Sequence, residues 1–241
     1  MVKLSRRLQA VAALAEPGKT AADVGCDHGY VGIWLIQQKV FSKVIAMDVR
    51  QGPLETAGKN AEHYQIGKAM ELRLSDGLQM LEVGEADSMI CAGMGGALMC
   101  HILEHDPKKA ASMKQVILQP QSELSLVRRF LRQQGYAIVK EDMVKEDGKY
   151  YPMFRAVWQG ERINRSSECQ DIYDAYGRLL LEGRHPVLQE WLLHERSVTC
   201  DLLSELQKAA GGEQDAGGRR LQRASELREK LKGIETALEY Y

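Results

Sequence analysis

Apolar and polar positions change rhythm twice along this chain. Near the start, Leu4, Leu8, Val11 and Ala12 recur at helical spacing, so an amphipathic first helix is expected. From residue 19 to about 160, short apolar runs alternate with segments of helical period. The strand candidates are KTAADVG (19–25), SKVIAMDV (42–49), MELRLSDG (70–77), ADSMICAGMGG (86–96) and KQVILQP (114–120). Between them fall the helical segments YVGIWLIQQK (30–39), QGPLETAGKNAEHYQIG (51–67), ALMCHILEHD (97–106) and SELSLVRRFLRQQG (122–135). Gly67 and Gly135 read as helix stops. Such alternation predicts a parallel, doubly wound sheet with right-handed crossovers. Two strand-like runs then flank KEDGK over 136–160, with Asp147-Gly148 as the turn. They predict an antiparallel hairpin at the sheet edge, for seven strands in all.

After residue 161 the pattern is helical. ECQDIYDAYGRLLLEG (168–183) places Ile172, Tyr176, Leu179 and Leu180 on one face. A second helix follows over 185–210, with Pro186 in its first turn, and RRLQRASELREKLKGIETALEYY (219–241) resumes after GGEQDAGG. Two long helices joined by a glycine-rich turn predict an antiparallel coiled-coil hairpin. The expected division is therefore residues 1–162, an α/β domain, and 163–241, a helical one.

Composition narrows the class. Hydrophobic residues at 44% support a core, and a net charge of −1 excludes a globally basic nucleic-acid binder while leaving local patches open. No apolar run reaches the roughly 20 residues that span a bilayer. The five cysteines form no CxxC pair and their number is odd, which fits reduced thiols and a cytoplasmic protein. His101 and His105 stand at i, i+4 beside Cys100, but no third ligand has suitable spacing, so surface histidines are expected and no metal. The expected oligomeric state is a monomer.

Chemistry enters at AADVGCDHGYVG (21–32), a strand end, a glycine turn and a helix start. A dinucleotide fingerprint needs Gly-x-Gly-x-x-Gly, whose middle glycine lets the backbone approach a pyrophosphate. Here Gly25, Gly29 and Gly32 are spaced differently, and Asp27 occupies the position where that close approach would occur. A carboxylate there repels a diphosphate and suits an ammonium or sulfonium, which argues for S-adenosylmethionine over NAD. Asp48 ends the second strand, where a carboxylate can accept from a ribose diol. Asp76 in SDGL ends the third, where it can read an adenine edge, and CAGMGG ends the fourth. All lie at the carboxyl ends of strands, where open α/β sheets bind ligands.

LSRRLQAVAAL, DVGCDHGYVGIWL, AMDV, SDGL, AGMGG and LQPQS together resemble the bacterial tRNA (adenine-22-N1)-methyltransferase family, TrmK, over residues 4 to about 160. The C-terminal hairpin resembles that family's second domain in kind. The chain departs from the family at Gly29, where alanine is common, and at Gln121, where asparagine is common. The resemblance implies a class I methyltransferase fold, Rossmann-like and seven-stranded, with a helical arm for tRNA. It implies a cofactor-facing set of Asp23, Gly25, Asp27, Gly29, Asp48, Val49, Asp76, Gly77, Ala92, Gly93 and Met94.

Methylation at adenine N1 uses an in-plane lone pair, so alignment and water exclusion matter more than a strong base. The candidates around the reacting atoms are Asp27, His28, Tyr30 and Met94. Asp27 could orient the cofactor or offset the product's positive charge, His28 could bond the base, and Tyr30 could stack on it. A solvent-facing histidine and a packing tyrosine account for the same spacing. The (Asp/Asn/Ser)-Pro-Pro-aromatic device of amino-methylating enzymes is absent after the fourth strand, and Cys91 lies inside the strand as a core residue. Expected RNA contacts are Arg6, Arg7, Arg128, Arg129, Arg219, Arg220 and Arg223, although a solvated, ion-paired face explains the last group equally well. An NAD-dependent oxidoreductase, a non-catalytic adaptor and a methyltransferase with another acceptor are the competing readings.

Overall fold

The computed structural model describes residues 1–163, 167–208 and 217–241. The chain forms two compact units, Met1–Ser166 and Ser167–Tyr241.

In the first unit a seven-stranded sheet has the order β3-β2-β1-β4-β5-β7-β6. Its strands are β1 (Gly18–Val24), β2 (Phe41–Asp48), β3 (Met70–Leu74), β4 (Ser88–Met94), β5 (Gln115–Pro120), β6 (Tyr136–Glu146) and β7 (Lys149–Trp158). The first five are parallel, and β7 inserts antiparallel between β5 and β6. Asp147 and Gly148 turn the hairpin with φ of 49° and 74°, the doubly positive geometry that a two-residue turn needs.

Both faces of the sheet are covered, which is why its strands are nearly continuous apolar runs. Along β2, Val44 and Ala46 enter one core while Ile45 and Met47 enter the other. The first core is roofed by α1 (Arg6–Ala13), α2 (Tyr30–Gln37) and α3 (Gln51–His63) through Val11, Leu35, Leu54 and Ala57. The second lies under α4 (Gly96–His105), α5 (Pro107–Ser112) and α6 (Leu124–Gln133), through Met99, Ala110, Val127 and Leu131.

Three elements differ from the pattern reading. α3 stops before Gly67: Gln65, at φ 59°, is the left-handed residue after the helix. There Ile66 N–H bonds the Ala61 carbonyl and Gln65 N–H the Glu62 carbonyl, a Schellman closure made without glycine. The helical run after Asp106 continues as α5, with Pro107 at its first position. The segment 168–183 is two helices, α7 (Glu168–Tyr176) and α8 (Arg178–Glu182), divided at Gly177 with φ 93°.

The second unit holds these two and the long α9 (Pro186–Lys208) and α10 (Gly217–Leu238). Leu188, Leu192, Leu227, Ile234 and Ala237 are buried within it, and Tyr176 meets Trp191 edge-on at 6.0 Å. The glycine-rich connection at 211–218 lies mostly outside the described residues. Among the described residues no helix is long and apolar enough to cross a membrane.

Candidate active site

The turn after β1 is held from below by β2, whose Met47 carbonyl accepts from both Gly25 N–H (2.8 Å) and Cys26 N–H (3.0 Å). Gly25, Asp27 and Gly29 all have positive φ, at 71°, 50° and 71°. A Cβ on Gly25 would meet only the terminal methyl of the flexible Met94 side chain, so it is the positive φ that calls for glycine there. Asp27 accepts the left-handed conformation as aspartate readily does, and this turns its carboxylate to the rim, where the side chain is 70% exposed.

On the opposite wall, the register of β4 and β5 slips between Ala92 and Met94, leaving Gly93 as a bulge at φ 81°. The loop after β5 braces this end: Gln121 N–H donates to the Met94 carbonyl at 2.8 Å, and Glu123 Oε2 accepts from Ala97 N–H at 2.8 Å.

These ends, with α1, enclose a crevice of about 490 Å³ lined by Arg7, Leu8, Asp23, Gly25, Cys26, Asp27, His28, Tyr30, Val31, Asp48, Arg50, Ala92, Gly93, Met94 and Gln121. All four candidates around the reacting atoms, Asp27, His28, Tyr30 and Met94, meet here. Four members of the cofactor-facing set do not line it. Gly29 begins α2 and packs toward Ala57, Val49 is 58% exposed, Asp76 is exposed on the turn after β3, and Gly77 turns against Ile102.

Electrostatically the crevice is graded. Asp23 is 5% exposed, and its Oδ2 has no hydrogen-bond partner. Burial pushes its carboxyl up to about 7, an effect that the Gly32 N–H partly offsets. Asp48, 7% exposed, is steadied by Arg50, whose N–H donates to Oδ1 at 2.9 Å and whose Nε lies 3.8 Å away. At the rim, His28 Nε2 stands 3.5 Å from Asp27, and the His28 and Tyr30 rings are 5.7 Å apart. Burial pushes the Cys91 thiol up to about 12, and burial with Asp23 and Asp48 raises Cys26 further, so neither is a thiolate nucleophile.

The basic residues separate. Arg7 lines the crevice, its Nη1 donating to Gln119 Oε1 at 2.6 Å. Arg128 is not at the surface: it is 4% exposed, its Nε lies 3.0 Å from Glu141, and its guanidinium is 5.4 Å from the Phe154 ring centroid. An RNA phosphate cannot reach it. Arg6, Arg129 and Arg223 are exposed and Arg220 is half-buried, whereas the Arg219 side chain lies outside the described residues. Sequence reasoning missed Leu8, Cys26, Val31 and Arg50 as lining residues; Arg50, two residues beyond Asp48, was open to recognition. Among the described residues no group of three metal-ligating side chains occurs.

The chain as a whole is similar to known proteins. Residues 4–154 match a methyltransferase domain family. The tRNA (adenine(22)-N(1))-methyltransferase of Bacillus subtilis strain 168 is 30% identical over 243 residues, covering 99% of this chain and 98% of that one. The crystal structure of the B. subtilis m1A22 tRNA methyltransferase TrmK superposes with a TM-score of 0.82 at 28% identity, covering 99% of this chain and 100% of that one. Streptococcus pneumoniae Sp1610, solved in complex with S-adenosyl-L-methionine, also gives 0.82, at 27% identity over 98% of this chain and 100% of that one. The chain therefore belongs to the tRNA (adenine(22)-N(1))-methyltransferase family.

Proposed function

We propose that this protein transfers a methyl group from S-adenosylmethionine to N1 of adenosine 22 in tRNA. The observation that carries this reading is the pair of buried carboxylates at adjacent strand ends: Asp23, with an oxygen lacking any partner, and Asp48, steadied by Arg50. A buried carboxylate oxygen without a donor is costly unless a ligand supplies one. The cofactor's ammonium and its ribose diol are the two donors that fit.

Bound there, the cofactor supplies an electrophilic sulfonium methyl, whose carbon–sulfur pair leaves with sulfur as N1 forms the new bond. The chain's own residues handle the rest. Met94 and Gly93 shape the wall facing the acceptor, Tyr30 offers a half-exposed ring for stacking, and His28 offers a hydrogen bond to the base. Adenine gains a positive charge, which the exposed Asp27 carboxylate stabilises. No proton needs to leave before attack, so no residue is assigned as general base. A base so engaged is unpaired and extruded from its RNA stack.

On this reading the protein is a cytoplasmic monomer that needs no metal, and the helical unit, with Arg220 and Arg223, grips tRNA. Arg6 and Arg129 supply further phosphate contacts on the catalytic unit. The test is transfer of labelled methyl to bulk bacterial tRNA followed by nucleoside analysis. Label in 1-methyladenosine at position 22 is expected; label confined to another nucleoside, or none in tRNA, overturns the reading. Deleting residues 163–241 should weaken tRNA binding and spare cofactor binding.

A further inference from the structure

Three glutamines stand on β5 and the residue after it, and one of them is left open. Gln115 is buried with both ends of its carboxamide used: Oε1 accepts from Glu16 N–H at 3.0 Å, and Nε2 donates to the Glu16 carbonyl at 2.8 Å and to Ser88 Oγ at 3.0 Å. Gln119, also buried, accepts from Arg7 at 2.6 Å and donates to the Pro120 carbonyl at 3.2 Å. Gln121 is exposed and lines the crevice, and among the described residues neither end of its carboxamide has a partner. Its backbone is nevertheless fixed. The Gln121 N–H donates to the Met94 carbonyl at 2.8 Å, Pro120 before it pairs with Met94 across the sheet, and Ser122 Oγ after it accepts from Gly96 N–H at 3.4 Å. The side chain therefore starts from a rigid point, and its Nε2 ends 3.5 Å from where a Cβ on Gly93 would stand.

Water satisfies an exposed carboxamide, so openness alone says nothing. Its place does, because Gly93 and Met94 wall the acceptor side of the crevice on the function proposed above. Adenine held with N1 toward the sulfonium methyl keeps N6 and N7 free, a donor beside an acceptor. A carboxamide is their complement, Oε1 accepting from N6–H while Nε2 donates to N7. Among the described residues that line the crevice, Gln121 is the one carboxamide. Arginine only donates, and Arg7 and Arg50 already have Gln119 and Asp48. The two ring nitrogens of His28 diverge and cannot serve adjacent atoms of one base. Guanine carries O6 where adenine has its amino group, so whichever way the amide turns, Oε1 meets an acceptor. As N1 takes the methyl, positive charge spreads to the adenine amino group, so the N6–H bond to Oε1 strengthens toward the transition state.

We propose that Gln121 reads the acceptor base as adenine, binding N6 and N7 while N1 reacts, an inference that rests on the function proposed above. It makes the loop after β5 a determinant of base specificity.

The test compares full-length wild type and Gln121→Leu on tRNA transcripts carrying adenosine or 7-deazaadenosine at position 22. Removing N7 deletes the Nε2 bond and leaves N1 and N6 in place. The analogue's own change in reactivity is common to both proteins. Gln121→Leu should lower kcat/KM on the adenosine transcript by about 10- to 100-fold, as a lost bidentate base contact does. The preference for adenosine over 7-deazaadenosine should fall about 5-fold or more from wild type to variant. Gln121→Asn, whose carboxamide is one methylene shorter, should fall between. Calorimetry should give both proteins the same affinity for S-adenosylhomocysteine, which shows that the variant's site is intact. An unchanged kcat/KM in Gln121→Leu overturns the proposal, and so does an equal preference for adenosine in the two proteins. A loss of S-adenosylhomocysteine affinity that matches the kinetic loss also overturns it, since that marks a structural or cofactor role. A wild-type protein that binds S-adenosylhomocysteine and leaves adenosine 22 unmethylated would fault the reading of function itself.

Discussion

The crevice of the first unit and the charged helices of the second place similar side chains in opposite circumstances. In the crevice, Asp23 and Asp48 are 5% and 7% exposed, and one oxygen of Asp23 has no donor at all. In the helical unit, Arg223 lies 3.1 Å from Glu226 with both side chains more than half exposed, and Lys230 reaches Glu195 at 2.5 Å. Water and a neighbour satisfy the second set, so it says little about ligands. The first set is costly to bury and is left incomplete by the protein, so it points to something bound. Abundant charge in a sequence is therefore less informative than one carboxylate oxygen that the fold buries without a partner.

Three substitutions sharpen this contrast, in decreasing order of expected effect. Gly25→Val should reduce cofactor affinity by about 100-fold or more, because a β-branched residue is strained at this positive φ and would distort the turn. Thermal unfolding with and without S-adenosylmethionine measures this, and a normal ligand-induced shift would show that the turn does not border the cofactor. Asp48→Ala should cost about 1–3 kcal/mol of cofactor binding, through lost charged hydrogen bonds to the ribose. An unchanged calorimetric affinity would remove Asp48 from the sugar. Arg223→Ala should change unfolding stability by less than about 1 kcal/mol, as exposed ion pairs do. A larger loss in denaturant titration would mean that the helical unit's charges do more than their exposure implies.

The sequence discloses the parts of the site that are local. Asp23, Gly25, Asp27 and Asp48 follow directly from strand ends and turn residues close in the chain, and they line one crevice. Arg7 is different in kind: its position depends on Gln119, Glu146 and Tyr151, over a hundred residues away, so helical spacing alone reads it as a surface cation. Arg128 and Arg129 are adjacent and chemically identical, yet one is buried against Glu141 and the other exposed. A signal for that existed. Val127 and Leu131 mark the buried face of α6, and Arg128 stands three residues before Leu131 on the same side. Gly67 misled because a glycine near a helix end is a common stop, whereas Gln65 took the left-handed conformation first.

The most direct test of the central claim is the pH dependence of cofactor binding in wild type and Asp23→Asn. In the free protein the Asp23 carboxyl is raised to about 7, and an ammonium binds its ionised form. Below that pH the ligand must displace a proton; above it the carboxylate is ready. The cofactor's own amino group is common to both measurements, so the ratio of the two affinities isolates Asp23. The wild type's advantage over the variant should grow about tenfold between pH 6 and pH 8. A ratio that stays flat across that range would contradict the assignment of Asp23 to the cofactor's ammonium.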